Sequence, residues 1–248
     1  MTPDPASGRN GTLMSNLPQV TVIGAGRLGH ALAATLRAAG VIVRGPHPRG
    51  ATGTESQIVV LCVPDGEIAR AATGVTPGRL VGHCSGATTL APLAPHEAFS
   101  LHPLMTVTGP DTAFAGAGCA VAGSTPRALA TAHELARHLG MQPFTIPDDD
   151  RAAYHAAACV ASNFLVTVLD LADRLAGTVG IERSALEPIV RTAVDNWIRT
   201  GPAALTGPIA RGDHGTVQRQ RQALADRLPA DLPLFEALVT ATETLAHR

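Results

Sequence analysis

A glycine-rich turn between an apolar run and an amphipathic segment constrains the fold more than any other feature of the sequence. The run QVTVI (19–23) predicts a buried strand, GAGRLG (24–29) a tight turn, and the next segment a helix that ends at Gly40. A GxGxxG pattern in this context, after a strand and at the start of a helix, indicates a dinucleotide-binding turn. We therefore expect a β-sheet flanked by helices.

Apolar runs continue to alternate with helical patterns up to about residue 150. Further strands are predicted at VIVRG, SQIVVLCV, RLVGHCSG, AFSLHP, GCAVAG and MQPFTIP. Ser124 or Thr125 is expected to cap a helix that has Pro126 in its first turn and runs to Gly140. This alternation predicts a doubly wound parallel sheet of the Rossmann type.

The pattern changes after residue 150, where strands are no longer predicted. A long helix is expected from Arg151 to about Gly180, and SALE (184–187) is typical of a capping box that opens a helix to about Thr200. Two further helices are expected at roughly 216–228 and 231–247. The sequence thus predicts an α/β fold followed by an all-α domain, with a leader at 1–17, a Rossmann domain at 18–150 and a helical domain at 151–248.

Composition excludes several classes of function. The net charge is −1 and 16% of the residues are charged, without a basic stripe, so nucleic acid is not expected as a partner. No uninterrupted apolar run reaches the roughly 18–20 residues of a membrane span, and we predict a cytoplasmic protein without membrane contact. The cysteines are far apart and form no CxxC pair, so neither a disulfide framework nor a metal site is predicted, and Cys62 and Cys119 are expected to be buried thiols.

The glycine turn predicts which residues hold the cofactor. Gly24 permits the tight turn, Gly26 lets the backbone approach a pyrophosphate, and Gly29 packs the helix on the strand. Arg44 is expected at the end of the second strand, where an enzyme that uses NAD usually has a carboxylate, and its guanidinium suits the 2′-phosphate of NADP. We therefore predict NADP, although Arg44 can also be read as a solvated charge. The predicted cofactor contacts are Gly24, Ala25, Gly26, Arg27, Leu28, Gly29, Arg44, Val63, Pro64 and Ser85.

Two polar segments, GHCSGA (82–87) and SLHPL (100–104), end predicted strands at the edge where open α/β sheets bind ligands. Ser85 is placed to contact nicotinamide or a substrate carboxylate. His102 is placed to donate to a carbonyl oxygen, a task that suits the near-neutral pKa of histidine. Either His83 or His102 can instead satisfy backbone groups at its strand end. A metal site at His83, Cys84 and His102 lacks compact ligand spacing, and none is predicted.

The segment RAAYHAAACVASNFLV (151–166) is apolar except for a few polar side chains. At 100° per residue, one stripe of an α-helix carries His155, Cys159, Ser162 and Asn163. The stripe is either a hydrogen-bonded core feature or one wall of an active site. All 19 residues counted as lysine or arginine are arginine, so no lysine can act as an acid, a base or a Schiff-base former.

Several segments together, GAGRLG, GHCSGA, FSLHPLMT, YHAAACVASNFLV and LTGPIARGD, resemble a bacterial family with a Rossmann-like amino-terminal domain and a helical carboxyl-terminal domain of unknown function. The resemblance spans residues 18–248. That family is similar to the superfamily of 6-phosphogluconate dehydrogenase, 3-hydroxyisobutyrate dehydrogenase, pyrroline-5-carboxylate reductase and ketopantoate reductase. The resemblance implies reduction of a small oxo acid, ketopantoate-like, or of an imine, with a nicotinamide cofactor and in a dimer built through the helical domain.

The sequence departs from these relatives at one informative position. Several of them have a catalytic lysine four residues before an asparagine on the first helix after the Rossmann domain. If Asn163 is that asparagine, Cys159 stands at the position of the lysine, and His155, one turn earlier, is the nearest candidate proton donor. The hypothesis is an NADPH-dependent reductase of a small 2-oxo acid in which His155 or His102 donates the proton.

Residues of the predicted helical domain complete this hypothesis. Ser162 and Asn163 orient the substrate oxygen, and Arg211 binds the substrate carboxylate, unless it is an ordinary surface arginine. Asp213 either orients Arg211 or caps the helix that starts near Thr216. Two alternatives stay open: a reductase of a cyclic imine, and a regulatory protein that binds NADP without catalysing a reaction.

Overall fold

The structure, a computed structural model, describes residues 17–248 and divides into two compact units after Cys159. The first unit contains every strand of the described chain, and the second is helical. The α/β fold class followed by a helical region is as predicted. Sequence patterns placed the change at residue 150, whereas the observed division leaves the helical residues 151–159 with the sheet. The predicted leader, up to residue 16, lies outside the described residues.

The seven strands of the first unit form one sheet in the order β2-β1-β3-β4-β5-β6-β7. They are β1 (Val20–Ile23), β2 (Val43–His47), β3 (Ile58–Leu61), β4 (Leu80–His83), β5 (Glu97–Leu104), β6 (Gly118–Gly123) and β7 (Gln142–Thr145). All neighbours are parallel except β5 and β6, which are antiparallel. The prediction of a wholly parallel sheet is therefore wrong at this pair, because the connection 105–117 contains no crossover helix.

The helices of the first unit are α1 (Arg27–Ala38), α2 (Ile68–Thr73), α3 (Pro126–His138) and α4 (Arg151–Cys159). Every residue of β1, β3 and β4 is buried, as expected for central parallel strands that are covered on both faces. The cap of α3 is Thr125, whose Oγ1 accepts the N–H of Ala128 at 3.1 Å. The predicted cap and the proline in the first turn are therefore confirmed.

The second unit begins with a π-helical segment, Val160–Phe164. It continues with α5 (Leu165–Gly177), α6 (Arg183–Thr200), α7 (His214–Arg227) and α8 (Leu232–Ala246). The predicted capping box is wrong: α6 begins after Glu182, no side chain caps it, and Ser184 lies inside the helix. A π-helix has wider turns than an α-helix, so the count of 100° per residue that placed Ser162 and Asn163 on the stripe of His155 does not apply beyond Cys159.

Within the helical stretch Asp148–Gly177, an 18-residue window has a mean hydropathy of 1.5 and none of it is buried, so that by length and composition only this helix could cross a membrane. This differs from the sequence expectation, which considered only uninterrupted apolar runs. The stretch also contains polar side chains such as His155 and Asn163. Length and average hydropathy alone are weak evidence for a membrane span, because an apolar helix that packs against protein has the same composition.

Candidate active site

The glycine turn has the geometry that a dinucleotide requires. Gly24 has φ +116°, and a Cβ added there would lie 2.1 Å from the carbonyl oxygen of Cys62. At Gly29 a Cβ would lie 1.8 Å from the carbonyl oxygen of Gly24, so neither position tolerates a side chain. A Cβ at Gly26 would meet nothing within 4 Å, and no side chain caps the N-terminus of α1 at this residue. The turn therefore leaves open space at a helix N-terminus, which fits a pyrophosphate.

The other residues predicted around the turn lie near it in the chain. Ala25 and Arg27 are exposed, and Leu28 packs partly against the core. Val63 and Pro64 follow β3 after Cys62, and β3 pairs with β1 along its whole length. Their role as cofactor contacts stays a prediction.

The arginine at the end of the second strand is not the predicted one. Arg44 is the second residue of β2, which continues to His47, and its Nε lies 3.3 Å from Glu55 in an exposed ion pair. The carbonyl of His47 accepts the N–H of Gly24 at 2.8 Å, so the carboxyl end of β2 lies beside the glycine turn. Arg49 follows that end by two residues and pairs with Glu67 at 3.3 Å. The prediction assumed an earlier strand end and therefore named Arg44.

His83, the last residue of β4, is fully buried and has a partner for each ring nitrogen. Its Nε2 lies 3.0 Å from the carbonyl oxygen of Thr89, and its Nδ1 accepts the backbone N–H of Ser85 at 3.2 Å. Burial lowers the pKa of His83, so the neutral ring is favoured. This is the structural role that sequence analysis kept open for this histidine.

Ser85 organises the loop after β4. Its Oγ accepts the backbone N–H groups of Ala87 at 3.2 Å and Thr88 at 2.9 Å, and it lies 2.7 Å from Asp65 Oδ2, to which it donates. The bond to Asp65 ties this loop to the loop after β3. Ser85 is buried, and its hydroxyl is used in these bonds, so it fixes the conformation of the loop. A direct contact of Ser85 with nicotinamide or a substrate carboxylate stays a prediction.

A cluster of rings lies next to this loop. His102 on β5 and His155 on α4 have ring centroids 6.1 Å apart, and a Cβ added to Gly86 would lie 2.9 Å from both rings. Tyr154 Oη lies 2.6 Å from His102 Nδ1, with the two rings edge to face. The structure thus brings together His102 and His155, the two histidines that the sequence predicted as proton donors, and adds Tyr154 and Gly86.

Electrostatics set the protonation states of His102 and Tyr154 in this cluster. Burial, and to a smaller extent the nearby His155 and Arg151, lower the pKa of His102 to about 4. His102 is therefore neutral at pH 7, which differs from the near-neutral pKa that sequence analysis expected. Burial also raises the pKa of Tyr154 to about 12, so its hydroxyl keeps its proton. His155 Nδ1 lies 3.9 Å from Cys159 Sγ, one helical turn away.

A buried arginine supports the cluster from the start of α4. Arg151 is 1% exposed; its Nε donates to Asp148 Oδ1 at 2.6 Å, and one terminal nitrogen donates to Ser100 Oγ on β5. Asp148 also accepts the backbone N–H of Leu90 at 3.2 Å. These contacts join α4 to β5 and to the loop after β4, and so fix the elements that carry His155, His102 and Gly86.

The remaining predicted site residues belong to the second unit. Ser162 Oγ lies 2.9 Å from Asn163 Oδ1, to which it donates, and both residues are in the π-helical segment. Arg211 is exposed in the loop before α7. Asp213 Oδ1 accepts the N–H of Thr216 at 3.0 Å, so Asp213 caps α7, one of the two roles that the sequence allowed.

Sequence reasoning missed Tyr154, Gly86 and Arg151. Tyr154 is the single tyrosine of the chain and precedes His155, which was a usable signal. The partner of Tyr154 is 52 residues away in sequence, and the closest approach to Gly86 involves two separate elements, so neither contact follows from local patterns. Within residues 17–248, no three His, Cys, Asp or Glu side chains are grouped so that they could hold a metal ion.

Solved structures with the same fold define the class of this protein: a Rossmann-type α/β unit followed by helices. A candidate NADP oxidoreductase from Bacteroides fragilis matches with a TM-score of 0.79 and 20% identity, and a protein from Thermotoga maritima with 0.73 and 22%. A reductive aminase from Aspergillus terreus, in complex with NADPH and ethyl-5-oxohexanoate, matches with 0.63 and 18%. Each match covers 92% of this chain and 98% of the other.

Within this class, the chain belongs to the family described as a domain of unknown function, DUF2520, whose model matches residues 117–242. The match includes α3, α4 and nearly all of the second unit. A search of curated proteins found no match. The family confirms the resemblance stated from the sequence, and the low identities of the solved structures establish the fold alone.

Proposed function

We propose that this protein is an NADPH-dependent reductase of a small oxo acid or a related imine. The proposal rests on one observation: the rings of His102 and His155 lie together beside Gly86. The same unit contains a glycine turn that fits a pyrophosphate. Two contacts connect the ring cluster to the glycine turn. Ser85 donates to Asp65, which joins the loop after β4 to the loop after β3, and Cys62, which follows β3, lies against Gly24. A cofactor pocket and a proton donor are the two parts that such a reaction requires.

The two histidines have different tasks in this proposal. A reduced nicotinamide supplies a hydride, and hence two electrons, to the carbonyl or imine carbon, and the substrate oxygen or nitrogen gains one proton. His102, neutral at pH 7 because of its burial, donates a hydrogen bond to that oxygen or nitrogen without giving up its proton. His155 gives the proton and recovers it from solvent, which makes it the general acid of the pair.

The residues of the second unit keep the roles predicted from sequence as part of this proposal. Arg211 is exposed and suits a substrate carboxylate, because a guanidinium binds a carboxylate through two hydrogen bonds. Ser162 and Asn163 lie in a π-helical segment, a feature that is frequent at functional sites. We assign to them the orientation of the substrate oxygen.

We further propose a cytoplasmic homodimer that forms through the helical unit. The apolar side chains on α6 include Ile189, Trp197 and Ile198, which are 64–68% exposed in the single chain. A groove between α5 and α6 is lined by Val166, Leu169, Ile189 and Val190, among others. Large exposed apolar patches of this kind mark interaction surfaces, and a second copy of the same helices offers a matching apolar face.

The reductase proposal is tested by following the absorbance of NADPH with a panel of small 2-oxo acids and cyclic imines. His155→Ala should lower kcat by roughly 10²–10⁴, as expected for loss of a general acid, while the Kd for NADPH changes less than about twofold. His96→Gln is the control, because His96 precedes β5 and donates from Nε2 to the carbonyl oxygen of Ala72. Turnover of His155→Ala at the wild-type rate would exclude His155, and NADPH binding without any turnover would favour the regulatory alternative.

The cofactor preference is tested at the carboxyl end of β2. Arg49 follows the carboxyl end of β2, which lies beside the glycine turn, so we expect Arg49→Ala to weaken NADPH binding about tenfold and to leave NADH binding unchanged, because only NADPH has a 2′-phosphate. Arg44→Ala is the matched control, since Arg44 lies inside the strand and pairs with Glu55. Tighter binding of NADH than of NADPH by the wild-type protein would contradict the proposal.

A further inference from the structure

We propose that Tyr154 is a positioning residue of the site: its hydroxyl donates to His102 Nδ1, fixes the tautomer of His102 that has its proton on Nε2, and so presents that N–H beside Gly86. The inference deepens the proposed reductase and rests on it for the role of His102 in the reaction. The tautomer itself can be measured without any turnover, so the two proposals can fail separately.

The bond between Tyr154 and His102 is short, and we assign the hydroxyl as its donor. Tyr154 Oη and His102 Nδ1 are 2.6 Å apart, a distance that suits a bond donated by a hydroxyl. The tyrosine is half-buried, and a hydroxyl proton removed from water needs an acceptor. The lone pair of a neutral imidazole nitrogen is such an acceptor, so Nδ1 carries no proton and Nε2 carries one.

The surroundings of the two rings hold this arrangement in place. His102 and Tyr154 meet edge to face with centroids 5.5 Å apart, and Phe144 packs on Tyr154 at 6.0 Å. Tyr154 also follows the first residues of α4, which Arg151 anchors to Ser100 on β5. The hydroxyl therefore approaches Nδ1 from a ring that packing and a buried ion pair both constrain.

Gly86 lies against the Nε2 side of the His102 ring. A Cβ at Gly86 would lie 2.9 Å from His102 Nε2 and also 2.9 Å from His155 Cδ2. The absence of a side chain therefore lets the backbone of the loop after β4 lie directly against the Nε2 side of His102 and the edge of His155. With Nδ1 occupied by Tyr154, Nε2–H is the group of His102 that remains as a donor, and it lies on the side of Gly86 and His155.

The charges around the pair favour the same state. Burial keeps His102 neutral, and Arg151 and His155 oppose a second proton on its ring. The carboxylate of Asp65 acts in the opposite direction, with a smaller effect than Arg151. A neutral ring with a fixed tautomer donates one hydrogen bond in one direction, which is the property required for orienting a substrate.

The test is the tautomer of His102, read by ¹⁵N NMR on ¹⁵N-histidine-labelled full-length protein, with the signal assigned by its loss in His102→Asn. We expect the wild-type protein to show the proton on Nε2 from about pH 6 to pH 8, since the ring is neutral throughout that range. Tyr154→Phe removes only the hydroxyl and should give a mixture of the two neutral tautomers. Phe144→Leu disturbs the packing of the Tyr154 ring but keeps the hydroxyl, and should leave the Nε2–H tautomer in place.

Kinetics add a second readout if the protein reduces a substrate of the panel. Tyr154→Phe should lower kcat about tenfold, the effect of one misdirected neutral hydrogen bond, with the Kd for NADPH within about twofold of the wild-type value. A wild-type His102 that is protonated on Nδ1 would overturn the proposal. So would a Tyr154→Phe variant that retains a pure Nε2–H tautomer. If no substrate is reduced, the reductase proposal fails, and the NMR result still decides whether Tyr154 fixes the tautomer of His102.

Discussion

The two units of the chain differ in where their apolar side chains lie. In the first unit the central strands are buried at every position, and large side chains such as Phe99 and Leu101 are fully enclosed. In the second unit, residues 160–248, only four hydrophobic side chains are buried: Leu171, Val217, Leu224 and Val239. α6 has 18 residues and none of them is buried. The first unit therefore has its own core, whereas the second has little of one.

Both units have exposed ion pairs, such as that of Arg44 with Glu55 in the first, but among the described residues only the first unit pairs a buried guanidinium. In the first unit the ion pair of Arg151 with Asp148 involves a guanidinium that is 1% exposed. The second unit has ion pairs at its surface, including Arg174 with Asp231 and Arg183 with Asp173. Exposed pairs contribute roughly 0–1 kcal/mol each, which does not replace a core. The helical unit therefore has exposed apolar side chains that the proposed homodimer would bury.

The first prediction tests this difference with two phenylalanines. Phe99→Ala should lower the free energy of unfolding by about 3–5 kcal/mol, because it empties an enclosed position against Gly82 in the sheet. Phe164 is 58% exposed in the single chain, so Phe164→Ala should change the stability of a monomer by less than about 0.5 kcal/mol. Urea denaturation at several protein concentrations measures both effects.

Protein concentration separates the possible outcomes for Phe164. If a second copy covers the helical unit, the loss caused by Phe164→Ala should appear together with a concentration-dependent transition and a weaker dimer in analytical ultracentrifugation. Equal losses for both variants in a protein that sediments as a monomer at every concentration would contradict the comparison, since Phe164 would then be buried within one chain.

The fold was predictable because its central part has a simple pattern. Strands β1, β3 and β4 are buried on both faces, and such strands appear in the sequence as continuous apolar runs. The errors concern the end of β2 and the direction of β6, where the local sequence is compatible with more than one structure. β2 extends to His47 although Gly45 and Pro46 interrupt its apolar run, and β6 returns antiparallel because its connection has no helix. Neither property is encoded in a window of a few residues.

The candidate site was predictable only in part. His102 was chosen because it ends a strand at the edge where α/β sheets bind ligands, and His155 because it lies one turn before the position where relatives have a lysine. The low pKa of His102 arises from burial and from the nearby His155 and Arg151, and Arg151 reaches Ser100 across 51 residues of sequence. Residue types therefore identify candidate histidines, and the assignment of a proton donor requires the tertiary structure.

The second prediction, with a smaller effect, concerns the acid sensitivity of the first unit. The pKa of His102 is about 4 in the folded protein and 6.5 in an unfolded chain, so between these values the unfolded state binds more protons. Folding stability should therefore be unaffected by His102 above pH 6.5 and should fall as the pH decreases from 6.5 to 4. The full loss attributable to His102 is at most about 3.5 kcal/mol, since each pKa unit corresponds to about 1.4 kcal/mol.

The variant His102→Asn isolates this contribution, because an asparagine amide does not titrate and its oxygen can still accept the hydroxyl of Tyr154. His83, whose pKa burial also lowers, and the carboxylates of both units remain in the variant and cause the same acid sensitivity as in the wild-type protein. Urea denaturation at pH 7, 6, 5 and 4.5 should therefore give two curves that diverge below pH 6.5, with the variant losing less stability. Parallel curves would mean that His102 is hydrated and titrates normally in the folded protein. In that case His102 would become a second candidate for the general acid beside His155, and the division of tasks between the two histidines would be lost.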